Sequence, residues 1–322
     1  MVSALGLASC GRVWYDARGD AGTDAFSDAG TEGASDGGID SGADGGPDAG
    51  ACSWLTGPPA FSAPEHLDGP SLAGAYDGDP VPSADGLVLF FNSSRTGNLD
   101  IYSSRRTSRH EELGAPVIQA DTEGLFPETR YVRSPDGLEA FFGSSRDGGL
   151  GGWDIWHATR PDITAPFGPF APLPGVSTAR DEFDPFVSAD GRALYFAPAM
   201  FPAGIGGQDL AVSLRAAPGA PFMPPTLLPN VNSPAADTDP SLTADGRVLV
   251  FASDRVGGVT RVYYATRATP SDPFDAPSEL TALPFGAELH DPYVSPDGCD
   301  LYFGADFDTP LEIDLYVLHA GR

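Results

Sequence analysis

One unit occurs five times in this chain, and its period constrains the fold more than any other feature. An Asp-Gly pair recurs at Asp85-Gly86, Asp136-Gly137, Asp190-Gly191, Asp245-Gly246 and Asp297-Gly298, at intervals of 51, 54, 55 and 52 residues. Six residues after each aspartate stands a phenylalanine: Phe91, Phe142, Phe196, Phe251 and Phe303. The apolar run ending there is too short for a helix and rich in aromatic and branched residues, so it reads as a buried strand. A second short strand precedes each turn. It opens with Asp-Pro at Asp79, Asp184, Asp239 and Asp291, whereas the second copy has Arg130-Tyr131. A glycine-rich turn and a third strand follow, as in Asp100-Ile-Tyr and Asp154-Ile-Trp. The fourth element is marked by an aromatic residue, proline and leucine, most clearly in Phe274–Leu280. Proline is barred from central strands, which puts this element at a sheet edge.

Four antiparallel strands in each period of roughly 40–55 residues predict a propeller blade. The expected fold is all-β: a five-bladed β-propeller of four-stranded antiparallel blades over residues 58–322. The last unit ends without an outer strand of its own. Phe61–Leu67 matches Phe274–Leu280 but precedes the first unit. It is expected to supply the missing strand from the amino-terminal side and close the ring, removing the open ends.

The pattern D-P-x-x-S-x-D-G, then L-Y-F-x-S-x-R, then G-G-x-D-I-Y resembles the TolB-like, WD-repeat-like propeller repeats of bacterial envelope proteins. Asp184–Phe196, Asp239–Arg255 and Asp291–Phe303 carry it best. The resemblance implies the fold strongly and function weakly, because propellers host many activities.

The amino terminus reads differently. Leu7-Ala8-Ser9-Cys10 resembles a bacterial lipobox, so residues 1–10 are expected to be a truncated lipoprotein signal, with Cys10 the lipidated residue. Residues 11–57 are read as a disordered linker. Acidic residues fall at every fourth position from Asp16 to Asp48, among Gly, Ala, Ser and Thr. Glycine density and repulsion between like charges at i,i+4 oppose a helix there. Gly33-Ala-Ser35-Asp-Gly37 matches a nucleophile motif, but that motif needs a strand and a helix to hold the serine. The expected location is the cell envelope, as an outer-membrane lipoprotein or at the cell surface, with the lipid as the membrane contact.

The formal net charge of −27 argues against nucleic acid or anionic lipid as the main partner. All 18 basic residues are arginine, which removes lysine-dependent chemistry such as Schiff bases and the Walker A lysine. Cys52 and Cys299 remain as a disulfide candidate. The five histidines have no metal-ligand spacing, so no metal centre is expected from them.

Asp79, Asp184, Asp239 and Asp291 should occupy equivalent radial positions on innermost strands, with Arg130 completing the ring. Two readings stand for them. The carboxylates accept backbone hydrogen bonds at turns, or they form an anionic channel mouth for a cation such as Ca²⁺ or a polyol. No other cofactor is expected. The leading functional expectation is a monomeric, non-catalytic binding or scaffold module presenting one face to a protein, peptide or glycan. The alternative is a glycoside hydrolase or lyase, pairing an inner-strand aspartate with Glu128, Glu182 or Glu288. Only the second unit, with Arg130 and Arg133, visibly breaks the aspartate repeat.

Overall fold

The computed structural model describes residues 52–321, apart from Leu55, Glu123, Ala203, Ala282, 284–287 and 308–311. Cys10, the acidic repeat and the linker up to residue 51 lie outside the described residues. All regular elements among the described residues are β-strands, twenty in number.

The first strand, β1 (Glu65–His66), belongs to the last blade. Blade one contains β2 (Asp77–Pro82), β3 (Val88–Ser93), β4 (Asp100–Arg105) and β5 (Val117–Ile118). Blade two contains β6 (Glu128–Arg133), β7 (Glu139–Ser144), β8 (Asp154–Thr159) and β9 (Ala171–Pro172). Blade three contains β10 (Glu182–Val187), β11 (Ala193–Pro198), β12 (Ala211–Leu214) and β13 (Thr226–Leu227). Blade four contains β14 (Asp237–Leu242), β15 (Val248–Ser253), β16 (Arg261–Thr266) and β17 (Ser278–Glu279). Blade five is built from β18 (Leu289–Val294), β19 (Asp300–Ala305) and β20 (Asp314–His319), with β1 as its fourth strand. The ring closes as the sequence predicts: Glu65 pairs with Val317 and His66 with Tyr316, antiparallel.

Each Asp-Gly pair turns the chain between the first two strands of its blade. The aspartate Oδ1 takes a hydroxyl hydrogen bond from the residue two before it and an amide bond from the residue two after it. In blade one these come from Ser83 (2.5 Å) and Leu87 (3.0 Å), and blades two to five repeat the pattern. The glycine has φ between 64° and 76° in all five turns, a conformation that glycine adopts at no steric cost. In blades one to four an arginine side chain donates Nε to that glycine's carbonyl: Arg106, Arg160, Arg215 and Arg267, at 2.6–2.8 Å.

The core lies between and within the blades. The five repeat phenylalanines are all buried, none more than 1% exposed. Complete burial of one such side chain stabilises by about 1.5–3 kcal/mol. The packed structure begins before residue 58, which corrects the expected linker boundary. The Cys52 amide donates to the Asp297 carbonyl at 2.9 Å, and Trp54 is buried against blade five. Cys52 and Cys299 are joined by a disulfide.

Candidate functional site

The innermost strand of every blade carries a β-bulge, with register shifts between Gly78 and Val81, Thr129 and Val132, Phe183 and Phe186, Thr238 and Ser241, and His290 and Tyr293. The bulge holds the ring residue, and there the chain turns left-handed: φ is 50° at Asp79, 42° at Arg130, 56° at Asp184 and Asp239, and 54° at Asp291. Four of these positions precede proline, whose ring disfavours the right-handed α region for the residue before it. Short polar aspartate tolerates the left-handed region better than most residues; arginine does not share that advantage.

The bulges make the side chains converge. Carboxylate oxygens of Asp79, Asp184 and Asp239 lie within 4.8 Å of one another, and all three residues are buried. Neighbouring blades are laced together by these groups. Asp291 Oδ2 accepts the Asp79 amide (3.1 Å) and the Tyr76 hydroxyl (2.9 Å). Asp79 Oδ2 accepts the Arg130 amide (3.1 Å) and Asn92 Nδ2 (2.6 Å). Thr238 Oγ1 donates to Asp239 Oδ2 at 2.7 Å. Arg130 is completely buried and sends Nη2 across to the Pro292 carbonyl at 3.0 Å. Its Nε and Nη1 are buried without a hydrogen-bond partner. Burial pulls this guanidinium's pKa down, and the charges of Asp239, Asp79, Asp184 and Asp291 outweigh that pull and hold it above the ordinary arginine value. An oxygen cluster suits a hard cation such as Ca²⁺; a guanidinium sharing the same interior does not.

A second tier of acids sits two residues before the ring, where the innermost strands begin. Asp77, Glu128 and Asp237 each meet the arginine eighteen positions later: Arg95 at 2.8 Å, Arg146 at 2.7 Å and Arg255 at 2.5 Å. Each arginine also donates to a loop carbonyl (Pro70, Thr122 and Val231) and stacks on its repeat phenylalanine. The Glu128 carboxyl is nevertheless pushed up to about 8 by burial, with Arg146 opposing and Asp100 adding to the rise.

Blade three breaks this pattern. Met200, 77% exposed, stands eighteen positions after Glu182, where blades one, two and four have arginine; blade five has neither the acid nor the arginine, with Leu289 and Phe307 at those positions. The Thr178 hydroxyl takes over, donating to Glu182 Oε1 at 2.5 Å, while the Thr178 amide donates to Oε2 at 3.0 Å. Burial pushes the Glu182 carboxyl up to about 7. Thr178 opposes this, and the charges of Asp154 and Asp181 add to it. Asp154 is itself buried. Its Oδ2 accepts the Leu150 and Gly151 amides, and its Oδ1 has no hydrogen-bond partner. Glu288 is placed differently: it is partly exposed and faces His290 at 3.6 Å. Sequence reasoning named Glu182 but missed Asp154 and the arginine lost at Met200. The 18-residue spacing to the S-x-R arginine was the available signal.

The opposite ends of the blades carry other features. Glu139 binds Arg215 through both oxygens (2.9 and 2.5 Å) and His157 at 3.1 Å, linking blades two and three. A cleft of about 400 Å³ opens at the seam of blades five and one, lined in part by His66, Arg106, Arg109, His110 and Glu112.

No protein-family model matches the chain, and a search of curated proteins returns no match. Solved structures do resemble it. An α-L-arabinofuranosidase from Podospora anserina in complex with cellotriose is 12% identical with a TM-score of 0.53, over 82% of this chain and 98% of that one. An endo-arabinase from Bacteroides thetaiotaomicron is 14% identical with a TM-score of 0.51, over 81% and 97%. A TolB described as putative, from Agrobacterium tumefaciens, is 18% identical with a TM-score of 0.46, over 82% and 91%. At these identities the likeness is one of fold. It corrects the expectation of a non-catalytic module: the shared fold is one on which glycosidases are built, and this chain buries acids of raised pKa at the start of its innermost strands.

Proposed function

We propose that the protein is a glycoside hydrolase whose proton donor is Glu182. The observation that carries this is the missing arginine at Met200. Asp77, Glu128 and Asp237 each face a guanidinium that competes with any substrate atom for the carboxylate, and this holds for Glu128 although burial raises its carboxyl to about 8; Glu182 faces Thr178 instead, and burial raises it to about 7. A general acid works best with a pKa near the working pH. In this reading Glu182 protonates the glycosidic oxygen, and Asp154 takes the proton of the attacking water through its unpartnered Oδ1. Leu150, Met200 and Ile205 are exposed on loops of blades two and three and offer apolar surface to a sugar ring. Glu182 is only 2% exposed, so substrate entry requires the adjoining segments 148–152 and 199–202 to part. The fold likeness to an arabinofuranosidase and an endo-arabinase supports arabinose-containing glycans as the substrates to try first.

The test is turnover of an aryl α-L-arabinofuranoside, linear arabinan and a panel of other aryl glycosides. Wild type should hydrolyse at least one, with activity falling as pH rises through about 7. Glu182→Gln should lose about 10²-fold or more. No turnover across the panel, or an unaffected Glu182→Gln, sinks the assignment. The lipobox-like Leu7–Cys10 and the acidic segment after it support a place at the outer face of the cell envelope. Mass spectrometry of envelope protein, looking for lipid on Cys10, tests that placement.

A further inference from the structure

The axial ring is a different matter from the acid in blade three, and it gathers four acidic side chains around one basic one. Five equivalent positions share one left-handed backbone conformation, and four hold aspartate. All five residues are 3% exposed or less. Carboxyl groups gathered in such a place repel one another when charged, and burial makes each charge costly unless a cation or hydrogen bonds meet it.

The fifth position supplies the ring's one positive charge. Arg130 takes the same strained backbone conformation, which favours aspartate and asparagine over arginine. It is buried as deeply as the aspartates, and its charge is coupled to all four. Its Nη2 reaches the carbonyl of Pro292, in another blade's bulge, so the side chain spans the interior of the ring rather than leaving it. Nε and Nη1 meet no protein acceptor and stay within the buried site. The oxygens of Asp79, Asp184 and Asp239 stand at a spacing that one cation could bridge.

We propose that Arg130 is the resident counter-ion of the propeller axis, a tethered cation in the place where a ring of five aspartates would need a metal. The position it fills is then a latent divalent-cation site, kept closed by the guanidinium. An ion would have to be captured from solution, whereas this one arrives with the chain as blade two docks.

The experiment compares wild type, Arg130→Lys and Arg130→Gln by thermal melting in EDTA and in millimolar Ca²⁺, with calorimetric titration of Ca²⁺. Wild type should shift by less than about 1 °C with Ca²⁺. Arg130→Gln should melt much lower in EDTA and recover at least about 5 °C with Ca²⁺, through binding linkage. Arg130→Lys, which keeps the charge, should lie between them and respond weakly. Should Arg130→Gln not fold in EDTA, its refolding yield with Ca²⁺ gives the same answer. Arg130→Gln combined with Asp184→Asn, with less charge to balance, should be more stable in EDTA than Arg130→Gln alone. A wild-type shift as large as the variant's would mean a metal shares the axis with Arg130 and would overturn the proposal. So would an Arg130→Gln that is as stable as Arg130→Lys, or one that gains nothing from Ca²⁺ or from Asp184→Asn.

Discussion

The indole Nε1 of Trp54 donates a hydrogen bond to the carbonyl of Gly298 at 2.9 Å. Gly298 is the glycine of the fifth Asp-Gly turn, and in the other four blades the corresponding carbonyl receives an arginine Nε. Among the described residues blade five has no such arginine, and Ala320 stands directly after β20, where the other blades place theirs. Its cap comes instead from the amino-terminal segment that also supplies its outer strand and half of its disulfide. The replacement is chemically economical: one N–H donor on a flat π system stands in for another.

The first prediction concerns this cap. Trp54→Ala should cost about 3–5 kcal/mol, as truncations of buried tryptophan do. Removing residues 52–67 should destabilise the whole domain, while removing 16–50 should leave the melting temperature nearly unchanged. Chemical denaturation of the three variants is the measurement. Equal losses from the two deletions would refute the closure role.

The second prediction tests the strand register. Phe251 is fully buried and stacks on Tyr263, with Arg255 over its ring. Phe251→Ala should lose about 3–5 kcal/mol, read by urea unfolding. A loss below about 1 kcal/mol would place the side chain on the wrong face of its strand.

A third prediction follows from Glu139. Burial pushes its carboxyl up, but hydrogen bonds from His157 and Arg215 outweigh that and hold it down at about 2. The unfolded chain takes up this proton near the ordinary value of 4.5. The stability tied to Glu139 is therefore complete above pH 4.5 and is lost as pH falls toward 2. Glu139→Gln should flatten that acid limb and cost about 3 kcal/mol at neutral pH by leaving Arg215 without its partner. Melting temperature against pH for the two proteins decides it.

Glu182 gives the opposite slope. Its folded carboxyl keeps a proton up to about pH 7, whereas the unfolded one releases it near 4.5. The native state thus binds more protons between these values, and stability falls as pH rises from 4.5 to about 7. Glu182→Gln should remove this component and melt higher than wild type at pH 8. A variant that melts lower at pH 8 would contradict the raised pKa, whatever its activity.

Much of this architecture was legible in the sequence because a period writes the same physics five times. Asp85 and its four counterparts could be assigned to turns, and Phe61–Leu67 to the missing strand, by matching one copy against another. Trp54 could not be found in this way. It belongs to no repeat, and its role is visible only once Gly298 lacks an arginine. The left-handed bulges were hidden for another reason: Asp-Pro alone suggests an extended residue, and only packing around a five-fold ring forces the other conformation. Arg130 was noticed as a departure, but its reach to Pro292 depends on tertiary geometry. At Glu182 the decisive fact was an absent partner eighteen residues away, which a search for motifs that are present passes over.

The closing of the ring within a blade, rather than between two, has a mechanical consequence. Strand β1 pairs with the last sheet at Glu65 and His66, and the segment before it adds one further antiparallel bridge, Phe61 to Ala320. On its own, so short a ladder would peel away under modest tension. But the Cys52–Cys299 bond lies upstream of it in the chain. A pull transmitted from the amino-terminal side therefore reaches blade five through a covalent link first, and the hydrogen bonds of β1 carry little of the load. The propeller can be tugged, sheared by flow or drawn against a surface at that end without being unzipped from its seam.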